Sequence, residues 1–510
     1  MELKKLLNGV EIKEIVGEMN QEIKGIAYHS KKVEKGFIFI AIRGLEFDGH
    51  KFVDEAIRNG AEAIIVEEDQ KFNGKTMVFV SNSRKALSKI ASNFYGNPSS
   101  SLMLIGVTGT NGKTTITYLL ESIFKKAGFN PGVIGTINYR YEGKIFSAPH
   151  TTPESLELQK ILWEMKNEGV SHVIMEVSSH GLDLDRVTDC HFDCALFTNL
   201  TQDHLDYHAS FQKYFEAKRR LFSDILVKSM KDKKFALTNI DDPMGEEIVK
   251  DINLKVIRYG LKPSSDVTAN NIKTTFDGLS FDVKTKGNNF RIHSKLAGTF
   301  NVYNILAAIA TCIEMGIPIE IIKEGIKSLE IVPGRFEKIE NKKGIRILVD
   351  YAHTPDALER ALLSLREIMK DKENPEGKII TVFGCGGDRD RTKRPLMGEI
   401  SGRLSDLTLL TSDNPRTEDP LTIIQEIEKG LKSLSLREWS KEEPFFWRSE
   451  KGYIKIPDRR EAIRMAIKLA HPFLDTILIA GKGHEDYQII GKKRFPFDDR
   501  IEARKALEEE

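Results

Sequence analysis

Two periodicities alternate along the chain. Short apolar runs bounded by glycine, asparagine, aspartate or serine are followed by longer stretches in which apolar residues recur every three or four positions, the pattern of buried strands alternating with amphipathic helices. Before residue 100, GFIFIAI and AEAIIVEE predict strands and KFVDEAIRNG predicts a helix stopped by glycine, with NPSSSL as a linker. From residue 102 the sequence runs LMLIGVTG, then the helical KTTITYLLESIFKKAG, then the strands HVIMEVSS, CALFTNL and FALTNID. This unit continues through the helix NVYNILAAIATCIEMG and ends near VPGR, residues 332–335. The alternation then starts afresh with IRILVDYA, KIITVFGCGG, LTLLTSD and TILIAGKG. Residues 435–456, SLREWSKEEPFFWRSEKGYIKI, break the pattern with two tryptophans and several charges and are predicted to form a surface insertion.

Apolar strands separated by helix-length segments predict parallel sheets covered on both faces. The expected fold is therefore α/β in three domains. Residues 1–100 form an N-terminal mixed α/β domain, residues 101–333 a central doubly wound parallel-sheet domain, and residues 334–510 a C-terminal Rossmann-like α/β domain. A chain of 510 residues is too long for one core, which agrees with that division.

Composition narrows the partners. Lys plus Arg number 76 against 75 for Asp plus Glu, so no global field draws the chain to nucleic acid or to an anionic membrane, and local clusters must hold any anionic ligand. No run reaches the ~18 apolar residues of a membrane helix, and the first twenty residues lack a signal-peptide core, so a cytoplasmic location is expected. Four cysteines, with Cys190 and Cys194 close in sequence but no second pair, predict buried thiols and not a disulfide framework or a zinc site.

GVTGTNGKTT, residues 106–115, carries the first chemistry. A strict phosphate loop has a glycine five positions before its second one, and here that position is Val107, so this is a variant loop. It follows an apolar strand and opens a helix, the context in which backbone N–H groups and a helix terminus cradle phosphates. Gly109, Thr110, Asn111, Gly112, Lys113, Thr114 and Thr115 are thus expected to bind ATP, with Lys113 reaching the outer phosphates and the Thr114 hydroxyl binding magnesium. Ligands in open parallel sheets bind beyond the carboxyl ends of strands. Glu176, after HVIM, and His204, in TQDHLDYH after CALFTNL, share that crevice as candidate magnesium ligands.

GTNGKTT, MEVSSHGL, FTNLTQDHLDYH, YFEAKRRLF, LAGTFNVYN, VDYAHTPDAL, FGCGGDRDRTKRP, SDNPRTEDP and AGKGHEDYQ occur in an order that resembles the Mur ligase family, ATP-dependent amide-forming enzymes of bacterial cell-wall synthesis. The similarity covers nearly the whole chain. It implies that Lys218, in EAKRRLF, is carbamylated and supports magnesium. It also implies that Asn301 approaches adenine and that Arg335, Asp350 and His353 contact the nucleotide. The N-terminal domain would take the UDP part of the acceptor, UDP-N-acetylmuramoyl-L-alanyl-D-glutamate, through Ser30 and the turn Leu45, Glu46, Phe47. His29 stands where relatives commonly carry Asp. His150, Thr151, Thr152, Ser178 and Arg186 match positions that hold the muramoyl-peptide; the threonine pair has a plain alternative as caps of the helix that follows.

The incoming amino acid falls to the last domain. In DNPR, which are Asp413, Asn414, Pro415 and Arg416, the arginine offers a planar two-pronged donor to a carboxylate, with Arg389 as a second cation. Glu485, near Gly481, can hold an ammonium. Such a set fits meso-diaminopimelate, which has the distal carboxylate that lysine lacks. No covalent enzyme intermediate is required, and the chain is expected to act as a monomer. Two rival readings are a folylpolyglutamate-synthase-like ligase and a nucleotide-gated binding switch; the first leaves HSKK and GLEFDGH unexplained, and the second leaves Arg389, Arg416 and Glu485 without a role.

Overall fold

The computed structural model of the chain describes residues 1–44, 47–68, 74–370, 376–440 and 446–509. Leu45 and Glu46 lie outside the described residues, as do 441–445 of the expected insertion.

Three α/β layers follow one another. Among the described residues the first sheet has five strands in the order Ile12–Val16, Thr76–Val80, Ala61–Val66, Phe37–Ile40, Gly25–Ala27, parallel except for the first. The second, of eleven strands among the described residues, is parallel from Pro131–Ile134 through His172–Glu176, Met103–Thr108, Cys194–Phe197 and Phe235–Asn239 to Lys255–Tyr259. Antiparallel strands extend it at both edges, Asn138–Tyr141 with Lys144–Ser147 on one side and Val267–Thr275 through Asn288–Ser294 on the other. The third sheet has seven strands among the described residues, six of them parallel, and Tyr487–Ile490 with Lys493–Pro496 make a separate two-stranded hairpin.

Both faces of the central sheet are covered. Ile105, Val107, Leu196 and Leu237 pack beneath the helices Lys113–Lys126 and Phe300–Glu314, while their neighbours Leu104, Ala195 and Ala236 pack on the opposite core. Ile116, Leu119, Leu120, Ile123 and Phe124 are fully buried, and at about 1.5–3 kcal/mol per such side chain the helix behind the phosphate loop is firmly seated. That is what keeps the loop in place when it meets a multiply charged ligand.

The predicted surface insertion is not one. Gly452–Lys455 pairs in parallel with Leu407–Leu410, and Arg437–Glu438 pairs with it in turn. Trp439 and Trp447 are 4% and 2% exposed and belong to the core of the third sheet, beside Ile454 and Ile456. Gly452 makes this possible, because a Cβ there would sit 2.3 Å from the Trp439 indole nitrogen. All four cysteines are free and buried.

At the end of the strand Thr476–Ala480, the fully buried Arg459 donates to both oxygens of Asp499, at 2.7 and 2.8 Å, and to the Ala480 carbonyl at 2.9 Å. A buried pair of this kind fixes geometry more than it adds stability. Here it anchors the strand end from which Gly481 and Glu485 follow.

Candidate active site

Val107 lies inside the strand Met103–Thr108, fully buried, and its carbonyl accepts from the Val177 N–H at 2.8 Å. The loop therefore begins at Gly109, which explains the missing glycine. Gly109 has φ +142°, and a Cβ there would lie 1.8 Å from Thr198 Oγ1; Gly112 has φ +89°, with Asn304 Oδ1 2.4 Å from the same position. Neither site tolerates a side chain. Below them the Lys113 ammonium donates to the carbonyls of Gly109 and Thr110 at 2.9 and 2.8 Å.

The loop forms one wall of a cavity of ≈240 Å³ between the central and last sheets. Thr110 to Thr115, Thr151, Glu176, Ser178, His204, Arg335, Asp350 and His353 all line it. Glu176 ends its strand with both carboxylate oxygens occupied from one side, by Thr136 N–H at 3.0 Å and Thr136 Oγ at 2.9 Å. His204 has a left-handed backbone, φ +53°, and its Nε2 lies 3.3 Å from Asp203 Oδ2. Burial holds the imidazole below its ordinary value, with the Asp203 carboxylate pulling the other way. Asp350 is pushed the other way, up to about 6 by burial, with Arg335 and the N–H groups of Phe336 and Ala352 opposing the rise.

Lys218 sits behind the loop, 1% exposed, with its Nζ donating to the Gly109 carbonyl at 2.9 Å and lying 4.6 Å from the Tyr214 ring centre. Two lysine side chains thus converge on one carbonyl oxygen. Burial, then the Lys113 charge, hold the Lys218 ammonium well below its ordinary value, with Asp203 pulling the other way. A neutral amine is the form that reacts with carbon dioxide. Among the described residues no cluster of three or more His, Cys, Asp or Glu side chains with metal-ligand spacing occurs, so a cation here would rely on a mixed set of hydroxyl, carboxylate and imidazole.

Side-chain bonds cross from the central to the last domain beside the loop. Arg335 Nη2 donates to Thr114 Oγ1 at 3.1 Å, and Asn111 Nδ2 donates to Asp356 Oδ2 at 2.9 Å. Asn301 lies one layer back, 3% exposed, donating to Ala297 O at 2.7 Å and accepting from Asn304 Nδ2 at 2.8 Å. Asn304, not Asn301, lines the cavity, with Tyr303 and Phe300 from the same helix. The N-cap of that helix is Thr299, so Asn301 does not cap it.

Thr152 is fully buried and donates to the Glu176 carbonyl while accepting from the Ser178 N–H, both at 2.9 Å. The cap of the following helix is Glu154, so the threonines are free of that duty. Arg186 Nη1 donates to Thr152 O at 2.9 Å, Ser178 caps the short helix after Glu176, and His150 is exposed next to them. Farther off, Ser30 Oγ donates to Glu55 at 2.6 Å, His29 Nδ1 accepts the N–H of Lys31, and Phe47 is 71% exposed.

The remaining predicted residues gather at the ends of the last sheet. Arg416 Nη1 donates to Gly387 O at 2.8 Å, and burial followed by the nearby Arg389 charge lowers the Arg416 guanidinium. Asn414 Nδ2 donates to Glu485 at 2.9 Å. Pro415 O packs under Gly387, where a Cβ would be 1.9 Å away. Asp413 Oδ2 is buried without a partner, and a Cβ on Gly481, φ +117°, would approach it to 2.7 Å. The Gly481 N–H donates to Asp350 O at 3.0 Å, so this group and the cavity sit on neighbouring strand ends.

The motif reading assigned no role to Thr136, Asn304, Tyr303 or Asp356, nor to Lys482, whose Nζ donates to Glu485 at 3.0 Å, and Gln488, whose Nε2 donates to the Asp413 carbonyl at 2.7 Å. Asp203 in FTNLTQDHLDYH, Tyr303 and Asn304 in LAGTFNVYN, Asp356 in VDYAHTPDAL, and Lys482 and Gln488 in AGKGHEDYQ all stand inside the quoted motifs, whereas Thr136 meets Glu176 through tertiary structure alone.

With that geometry fixed, family models match the three layers in turn: "Mur ligase family, catalytic domain" over residues 22–95, "Mur ligase middle domain" over 107–312 and "Mur ligase, glutamate ligase domain" over 334–483. A protein of Geobacter metallireducens named UDP-N-acetylmuramoyl-L-alanyl-D-glutamate--2,6-diaminopimelate ligase is 47% identical, over 100% of this chain and 99% of its own. The chain belongs to the Mur ligase family. A relative of the same name from Caldanaerobacter subterraneus is 44% identical over 100% of this chain and 99% of its own. A solved structure with that name superposes with a TM-score of 0.68 at 31% identity, covering 100% and 99% of the two chains. A folylpolyglutamate synthase from Mycobacterium tuberculosis shares the fold at a TM-score of 0.61 and 15% identity, covering 78% of this chain. Among the described residues no helix is long and apolar enough to cross a membrane.

Proposed function

We propose that this chain is an ATP-dependent ligase that joins meso-diaminopimelate to the D-glutamate of UDP-N-acetylmuramoyl-L-alanyl-D-glutamate, a step of peptidoglycan precursor synthesis. In this reading residues 1–100 take the UDP end, 101–333 hold ATP, and 334–510 hold the amino acid. One observation carries it: the phosphate-loop cavity and the Arg416–Glu485 group lie on neighbouring strand ends, joined by the Gly481 to Asp350 bond.

A carboxylate is a poor electrophile. Transfer of the γ-phosphoryl group to the glutamate carboxylate yields ADP and an acyl phosphate; attack by the amine, after it loses a proton, gives a tetrahedral adduct that expels phosphate and leaves the amide. Lys113 and the loop N–H groups neutralise and align the phosphoryl group, so catalysis rests on positioning and charge. Thr114, Glu176 and His204, which open on one cavity, suit magnesium, with a carbamylated Lys218 behind them. Magnesium bound there would screen the phosphate charge that otherwise repels the carboxylate. Arg416 and Arg389 orient the distal carboxylate of the amino acid, and Glu485 its ammonium.

The test is ADP release with the UDP-linked dipeptide and ATP against a panel of meso-diaminopimelate, L-lysine and L-ornithine. Strong release with meso-diaminopimelate alone is expected; preference for lysine would overturn the amino-acid assignment, and release independent of any amine would overturn the ligase.

Lys218→Ala is expected to lower kcat by about 100-fold or more, in keeping with loss of a charged group that supports the phosphoryl site. Millimolar acetate should restore part of it. Wild-type protein in isotopically labelled bicarbonate should give a carbamate carbonyl resonance that the variant lacks, and full activity of the variant would exclude the modification from the reaction.

A further inference from the structure

Arg416 has φ +50°, a left-handed backbone that an arginine adopts only where its surroundings impose it. The hairpin of Tyr487–Ile490 and Lys493–Pro496 imposes it here. The Arg416 N–H donates to Ile489 O at 3.1 Å, and the Gly491 N–H donates to Arg416 O at 2.7 Å, so the residue is held from both sides. Next to it, the Ile489 N–H donates to Asn414 Oδ1 at 2.8 Å, and Gln488 Nε2 donates to Asp413 O at 2.7 Å.

These bonds do not belong to the main sheet. The hairpin pairs with no strand of the seven-stranded layer among the described residues, and an isolated two-stranded hairpin is marginally stable. Its bonds to residues 413–416 therefore order the hairpin and the loop together. The backbone bonds are available to any sequence, whereas the one to Asp413 depends on the Gln488 amide.

We propose that this hairpin is the positioning element for the attacking amino acid, and that Gln488 is the side chain through which it sets the aim of Asp413 to Arg416. The inference rests on the proposed function and deepens it. Gln488 touches no reacting atom; it fixes the Asp413 carbonyl, and with it the turn that points Arg416 at the distal carboxylate.

The test is steady-state kinetics of the whole chain carrying Gln488→Ala or Gln488→Glu, with each of the three substrates varied in turn. Glutamate keeps the shape but has no amide donor. Both variants are expected to raise KM for meso-diaminopimelate about tenfold, the size expected for a buried carbonyl left without its partner. KM for ATP and for the UDP-linked dipeptide should stay within about twofold, because those sites share no partner with Gln488. The preference for meso-diaminopimelate over L-lysine should fall in parallel, with Tm unchanged. An unaltered meso-diaminopimelate KM overturns the inference, as does an equal rise in all three constants or a fall in Tm that accounts for the loss. Absence of turnover with meso-diaminopimelate in the wild-type protein would overturn the proposed function itself, a result distinguishable from wild-type turnover with silent variants.

Discussion

Lys113→Ala is expected to reduce kcat by at least about a thousandfold, beyond the loss from removing one neutral donor at a transition state because a full charge goes with it. The ammonium is already gathered against the carbonyls of Gly109 and Thr110, at the start of a helix whose apolar face is fully buried. Burial lowers its ordinary value, opposed by Glu176 and Asp203, so an arriving triphosphate is the group that best stabilises its charge. The neighbouring cations are already held: Lys218 is enclosed against Tyr214, Arg335 bonds to Thr114 and Arg360 to Asp356. Measurement of ADP formation at saturating substrates decides the matter. Near-normal turnover in a folded variant would remove Lys113 from the phosphate site.

Arg416→Ala is expected to raise KM for meso-diaminopimelate by about 100-fold, the upper range for hydrogen bonds to a charged group, while KM for ATP and the UDP-linked dipeptide changes little. L-lysine has no distal carboxylate to lose, so its weak use should be nearly unaffected and the selectivity of the chain should largely vanish. The partly buried guanidinium lies in a turn whose backbone is fully committed, whereas Arg389 is exposed. Equal changes in all three constants would contradict the assignment.

What could be read from the sequence was local. The phosphate loop is a strand, a turn and a helix in direct succession, Met103–Thr108, 109–112 and Lys113–Lys126, and its glycines are forced by positive φ and by the crowding of Thr198 and Asn304, which leaves a direct trace. The same holds for DNPR after its strand. Thr136 left no such trace, since it reaches Glu176 from the bend between Pro131–Ile134 and Asn138–Tyr141, while Asp356 and Asn304 stand in quoted motifs that do not show which way their side chains turn. The resemblance points to Asn301 while Asn304 lines the cavity, because a motif does not reveal which face of a helix turns towards a cavity. Residues 435–456 misled for a different reason. A four-residue strand is too short for periodicity to show, and Trp439 is buried only because Gly452 yields the space.

The four cysteines lend the molecule a use of their own. Each is enclosed, and burial raises Cys190, Cys194, Cys312 and Cys385 alike, so the thiolate that an alkylating reagent needs is scarce while the native packing holds. Alkylation is therefore gated by opening. Three of these sulfurs report on the central layer and Cys385 on the last, so the rate at which each is labelled times the breathing of its own layer without any engineered probe.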